Sequence, residues 1–155
     1  MSEHSSRKEL KVSAIEHGTV IDHIPAENLF RVISILGLDK IKTQILFGVN
    51  LESQKYGTKG IIKVSNKFFE PEEINKIALV APTATLIVIR DFQVVEKSSV
   101  VIPDHIHRSV RCFNPRCITN HQNVPTKFTV IDKSELKLYC HYCEKITARS
   151  NIVFN

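Results

Sequence analysis

Residues 17–25 read His-Gly-Thr-Val-Ile-Asp-His-Ile-Pro. Thr19, Val20 and Ile21 are β-branched, the class that favours extended chain. Gly18 before them allows a turn, and Pro25 after them suits the first position of a helix. The stretch therefore predicts a strand that feeds directly into a helix. Asp22 and His23 stand at the joint. A core strand gains nothing from an Asp–His pair, whereas a helix start offers N–H groups to an anion.

Working outward, Lys11 to Ile15 reads as a short strand with Val12, Ala14 and Ile15 as its apolar content. Downstream, Leu29, Phe30, Ile33 and Leu36 fall at helical spacing and Gly37 is a stop. Ile45, Phe47, Val49 and Leu51 alternate as in a half-buried strand. Ile61 to Val64 makes another, and the short connection between the two predicts an antiparallel pair. Pro71 opens a second helix with Glu72 and Glu73 in its first turn, where negative charge suits the helix dipole. Ile74, Ile77, Ala78 and Ala81 form its apolar face, and Pro82 ends it. Thr85 to Ile89 is a strongly apolar strand, continued by or paired with Phe92 to Glu96 after a kink at Arg90–Asp91. The order strand, helix, strand, strand, helix, strand is the split βαβ, ferredoxin-like pattern. This is an α+β fold, an antiparallel sheet with two helices on one face.

Ser98 to Pro103 reads as a connector, which divides the 155 residues into units 1–103 and 104–155. The first holds 13 Lys/Arg and 12 Asp/Glu, the second 8 and 4, so most of the +5 formal charge lies in the second. No apolar run approaches the roughly 18 residues of a membrane span, and MSEHSSRKELK has no apolar leader core, so a cytoplasmic location is expected.

All four cysteines lie in the second unit. Cys112 and Cys117 form C-x4-C, Cys140 and Cys143 form C-x2-C, and 22 residues separate the pairs. Two turns that each present two thiolates enclose one tetrahedral ion. Structural Zn2+ suits this format, with rubredoxin-type iron as the rival. Four thiolates leave no open position for catalysis at the metal. Lys127 to Ile131 and Leu136 to Tyr139 alternate like strands, so a small all-β, metal-held domain is expected. Its 52 residues are few for an independent core, and the metal should supply much of its folding energy. A divalent ion with four thiolates carries −2, which lowers the local charge from +4 to +2. Nucleic acid is then a weak expectation as partner.

The first unit has no G-x-S-x-G, P-loop or dinucleotide fingerprint. Its suggestive polar residues are Asp22, His23, Lys63 within the apolar run I-I-K-V, and Lys97 at the end of the last strand. Brought together, two lysines would neutralise a polyphosphate and the carboxylate would hold a sugar hydroxyl. Adjacent strand residues face opposite ways, and spacing alone favours ordinary solvent-facing lysines.

Gly18-Thr-Val-Ile-Asp-His-Ile-Pro25, Gly48-Val-Asn-Leu51, Ala81-Pro82-x-Ala84-Thr85 and C-x4-C with C-x2-C-E-K together resemble the regulatory chain of aspartate carbamoyltransferase. The resemblance spans nearly the whole chain beyond the first ten residues. It implies a non-catalytic subunit with a nucleotide-binding allosteric domain and a zinc domain. It implies pairing of regulatory chains into homodimers that join catalytic trimers in pyrimidine biosynthesis, and control by CTP, ATP and UTP. By position, it implies that Lys97 contacts phosphate with His23 nearby. Asp22 and Lys63 serve the ribose, and Val12, Ala14, Ile15, Val20, Ile89 and Val94 line base and sugar. Asn114, Glu144 and Lys145 are implied contacts to the catalytic chain. The chain departs from the family pattern at Ser13, in place of an acidic residue, at Ile87, in place of an amide, and at Phe92, in place of a tyrosine. Arg116 likewise replaces an asparagine.

Overall fold

The computed structural model describes residues 14–155. Lys11, Val12 and Ser13 of the expected first strand lie outside the described residues, and Ala14 and Ile15 fall in no strand. Regular pairing begins at Gly18. Its φ is +145°, and a Cβ there would stand 2.1 Å from the Val64 carbonyl oxygen, so only glycine permits the strand to start in this place.

The first sheet contains β1 (Gly18–Ile24), β2 (Ile45–Ser53), β3 (Gly57–Ser65), β4 (Thr85–Arg90) and β5 (Gln93–Ser99). Their order is β2-β3-β1-β4-β5 and every pair is antiparallel. The first four strands have the split βαβ arrangement expected. The region read as a kink is a two-residue hairpin instead. Asp91 and Phe92 have φ of 51° and 64°, the left-handed pair of a type I′ turn, and β5 becomes a fifth, edge strand.

Two helices cover one face. The first, α1 (Leu29–Ile35), follows a 3-10 turn at Ala26–Asn28 and ends before Gly37, whose φ is +66°. The second, α2 (Pro71–Val80), is started by a capping box between Glu70 and Glu73, with Pro71 in its first turn. Leu29 and Val32 of α1 and Ile77 and Val80 of α2 pack on Ile21, Ile62, Val64 and Leu86 of the sheet. Burying each such side chain is worth about 1.5–3 kcal/mol. Gly60 lets α1 approach, since a Cβ there would meet Leu29 Cδ1 at 2.7 Å.

The remaining strands are β6 (His105–His107), β7 (Val110–Arg111), β8 (Lys127–Asp132), β9 (Lys137–Cys140), β10 (Ile146–Ala148) and β11 (Val153–Phe154). They form a sheet of order β10-β9-β8-β6 and a β11-β7 pair. Ile106, Val110, Phe128, Leu136, Leu138 and Ile152 make the second core together with Cys112, Cys117 and Cys140. Leu79 of α2 belongs to this core and Phe154 touches both. Lys76 of α2 also donates to the Asn155 carbonyl at 3.1 Å.

Candidate functional site

The four thiols converge. Their sulfurs all lie within 4.8 Å of one another, with Cys112 to Cys143 at 3.7 Å and Cys117 to Cys140 at 3.8 Å. Four sulfurs at about 2.3 Å from a tetrahedral ion would stand about 3.8 Å apart, so the cluster fits a metal without rearrangement. The turns are held by backbone. Cys117 N–H donates to the Asn114 carbonyl, Cys140 N–H to that of Lys145, and Glu144 N–H to that of Cys140, each at 3.0 Å. Burial pushes the Cys112 and Cys140 thiols above the ordinary thiol range. Burial also works to raise Cys143, but it is outweighed by hydrogen bonds from the Asn114 side chain, the Lys145 N–H and the thiols of Cys112 and Cys140, which hold it down at about 7. Metal and protons compete for such groups, and metal binding deprotonates them. Among the described residues no histidine joins the cluster. His121 instead donates through Nε2 to the Pro115 carbonyl at 2.7 Å.

The second site is the helix-free face of the first sheet. Residues directly opposite in antiparallel strands share a face. Lys63 of β3 opposes Val20 of β1, Val20 opposes Ile87 of β4, and Ile87 opposes Lys97 of β5. These four form one row across the sheet. Lys63 and Lys97 stand three strands apart, about 14 Å between backbones. Ile15, Val20 and Ile89 cluster here, with Ile61 and Ile87 packed against them, and Val94 opposes Ile89.

Asp22 lies one row on, opposite Thr85. Here the expectation that Asp22 and His23 face opposite ways gives way to a bulge. The β1–β3 register shifts between Ile21 and Ile24, and His23 has φ of 57°. Ile21 and Ile24 both enter the core, and the two polar residues between them turn to the other side. His23 N–H donates to Asp22 Oδ1 at 2.7 Å, and His23 Nδ1 lies 3.2 Å from Thr85 Oγ1. Asp22 Oδ1 also receives Lys59 Nζ at 2.7 Å. Burial lowers the affinity of Lys63 for its proton, and the nearby Asp22 carboxylate opposes the shift.

Sequence reasoning missed Lys59 and Thr85. The signal for Lys59 was present, because Lys59, Ile61 and Lys63 alternate and so share a face. Thr85 carried no signal, since only the register places it beside the bulge.

Residues 10–101 match the family described as aspartate carbamoyltransferase regulatory chain, allosteric domain, and residues 104–153 match its metal binding domain. The chain belongs to the aspartate carbamoyltransferase regulatory-chain family. Regulatory chains of this name are 52% identical in Bacteroides thetaiotaomicron over 147 residues, which cover 95% of this chain and 96% of the relative. The Pyrococcus horikoshii chain is 53% identical over 149 residues, 95% and 98% of the two. That of Thermococcus sibiricus is 52% identical over 148 residues, 96% and 98%. As a regulatory chain it is the non-catalytic partner of its enzyme. Its metal binding domain is the unit that carries the four-cysteine cluster.

In this regulatory chain Asn114 lies within the Cys112–Cys117 turn, and Glu144 and Lys145 directly follow Cys143. Glu144 adopts φ of 62° as the chain leaves the metal turn. Arg116 is exposed, and its N–H donates to Asn114 Oδ1 at 3.1 Å. Ile87 occupies the middle of the lysine-flanked row, and Phe92 is exposed at the hairpin tip. No described helix is long and apolar enough to cross a membrane.

Proposed function

We propose that the chain binds nucleoside triphosphates (CTP, ATP and UTP) on the helix-free face of the first sheet. In this reading it passes their effect to the catalytic chain of aspartate carbamoyltransferase through a second domain held by one structural Zn2+. The observation that carries the reading is the row Lys63–Val20–Ile87–Lys97, with Asp22 and His23 turned onto the same face by the bulge. It is an apolar floor with a cation at each end, on the length scale of a nucleotide.

Lys97, with His23 nearby, meets phosphate. Asp22, positioned by Lys59, accepts from ribose hydroxyls, and Lys63 lies beside them. Ala14, Ile15, Val20, Ile89 and Val94 form the wall for base and sugar, with Val12 assigned by resemblance alone. Aliphatic side chains cannot distinguish one base edge from another. β5 is an edge strand, so half of its backbone N–H and C=O groups point away from the sheet. These groups read the base. With Ile87 apolar at the centre of the row, selectivity rests on that backbone and on shape rather than on a side-chain amide.

Zinc follows from the donor set, since four thiolates in a tetrahedron suit it structurally. It holds the turns that present Asn114, Glu144 and Lys145 to the catalytic chain. The division into an allosteric unit, residues 1–103, and a metal unit, residues 104–155, follows the same logic. The functional assembly is a regulatory homodimer within a hetero-oligomer of catalytic trimers and regulatory dimers, in the cytoplasm, with no nucleic-acid or membrane partner. A nucleotide that binds two quaternary states unequally shifts their balance by the difference in binding free energy.

Calorimetric titration of CTP and then ATP into the metal-loaded chain tests the site. One saturable site per chain, with ATP displacing CTP, is expected. Simultaneous independent binding of both, or binding of neither, overturns it.

A further inference from the structure

Away from both sites, Glu16, His17 and Asp91 bring three ligand atoms within 4.8 Å of one another. His17 Nε2 stands 3.8 Å from Glu16 Oε1 and 3.7 Å from Asp91 Oδ1. Donors bound to one ion at about 2.0–2.2 Å lie about 3–3.6 Å apart. The imidazole is therefore within a few tenths of an ångström of the spacing a shared ion requires from each carboxylate, and both carboxylates are exposed and can close the gap. Among the described residues no lysine or arginine forms an ion pair with either carboxylate. Arg90, next to Asp91, lies instead over the Phe68 ring, 4.3 Å from its centroid.

The three residues come from two chain segments that the backbone holds together. Adjacent residues of a strand face opposite ways, but Glu16 and His17 lie in the bend before β1 and both turn to Asp91. Asp91 stands in the left-handed turn between β4 and β5, with φ of 51°. Phe92 N–H donates to the Glu16 carbonyl at 3.0 Å, and Asp91 N–H donates to His17 Nδ1 at 3.2 Å. The backbone that carries the ligands is therefore set before any ion arrives. Binding through Nε2 moves the proton of the neutral ring to Nδ1 and gives up the Asp91 bond, which is long, exposed and worth little.

We propose that Glu16, His17 and Asp91 bind a divalent transition-metal ion such as Zn2+, separate from the cysteine site, and so clasp the segment before β1 to the β4–β5 hairpin. One imidazole with two carboxylates matches the donor preference of such ions, whereas Mg2+ prefers oxygen alone and keeps its waters. The two carboxylates balance the divalent charge. Soft thiolates select zinc more strongly than these donors do, so the cysteine cluster fills first. None of the three residues is assigned to nucleotide or to the catalytic chain, so the site stands apart from the proposed function.

The full chain, carrying one Zn2+ at the cysteines, is titrated with Zn2+ by calorimetry in the absence of nucleotide. One further ion per chain is expected, and an equal concentration of Mg2+ should not displace it. The second equivalent should also move the Asp91 amide resonance, because that N–H loses its acceptor. H17Q and D91N should each weaken this binding by about tenfold or more while retaining the first ion. Asparagine suits left-handed backbone, so D91N keeps the turn. H105Q/H107Q removes two exposed imidazoles on β6 and should bind as wild type does. No second ion in the wild type overturns the proposal. So does undiminished binding in both H17Q and D91N, or a loss confined to H105Q/H107Q. Displacement by an equal concentration of Mg2+ overturns it too, since the carboxylates would then act without the imidazole.

Discussion

Replacing Lys97 by alanine removes one cation from the end of the row and nothing from either core. All of β5 is exposed, so the ammonium acts through a well-hydrated contact. Two unit charges at 4 Å interact by about 1 kcal/mol in bulk water and about 4 kcal/mol near a protein surface. An edge strand with both faces open lies towards the first value, so a loss of about 1–2 kcal/mol is expected. That corresponds to roughly 5- to 30-fold weaker triphosphate binding. Calorimetry of CTP and ATP on the metal-loaded variant measures it. Lys42→Ala, an exposed lysine before β2, serves as the control and should change nothing. The loss should diminish with added salt. Affinity for both nucleotides within twofold of wild type at matched low salt would refute the role of Lys97 and the orientation of nucleotide built on it.

The metal account predicts that Cys140→Ser unfolds the second sheet while the first retains its helices, as read by amide exchange. Because burial raises Cys112 and Cys140, both carry protons in the metal-free chain at neutral pH. Metal binding must release those protons, so affinity should rise with pH, and a chelator should strip the ion more easily as pH falls. A pH-independent affinity would count against four thiolate ligands. Gly18→Ala forces a Cβ to within 2.1 Å of the Val64 oxygen and should cost about 3 kcal/mol or more, read as a lowered melting temperature. Thr147 is fully buried and its hydroxyl has no hydrogen-bond partner among the described residues. Thr147→Val should therefore stabilise the chain by about 1 kcal/mol, and denaturant unfolding decides this.

Local pattern carried the helices and four strands of the first sheet, because an apolar period or a continuous apolar run is read within each segment, and Gly or Pro marks several of their ends. Pro71 with Glu73 marked the start of α2, and Gly37 the end of α1. The fifth strand was only half legible. Phe92 is a poor residue for left-handed backbone, so the turn at Asp91–Phe92 did not announce itself. The metal site was fully legible, since ligand spacing is a local property. The open face was not. Its lysines, Val20 and Ile87 come from four strands, and only the pairing register brings them into one row. The bulge that turns Asp22 and His23 to the same side is set by the left-handed His23, which nothing in the order of residues marks.

The proposed coupling is that nucleotide bound at the first sheet changes the behaviour of an enzyme whose active site lies on another chain. Its most direct test is the aspartate saturation curve of the enzyme assembled from this chain and its catalytic partner, measured with and without CTP or ATP. Coupling of about 1–3 kcal/mol predicts that at least one nucleotide moves the half-saturating aspartate concentration several-fold, and that Lys97→Ala shrinks the shift at the same nucleotide concentration. Coincident curves with and without saturating CTP and ATP, on a fully assembled enzyme, would contradict the account.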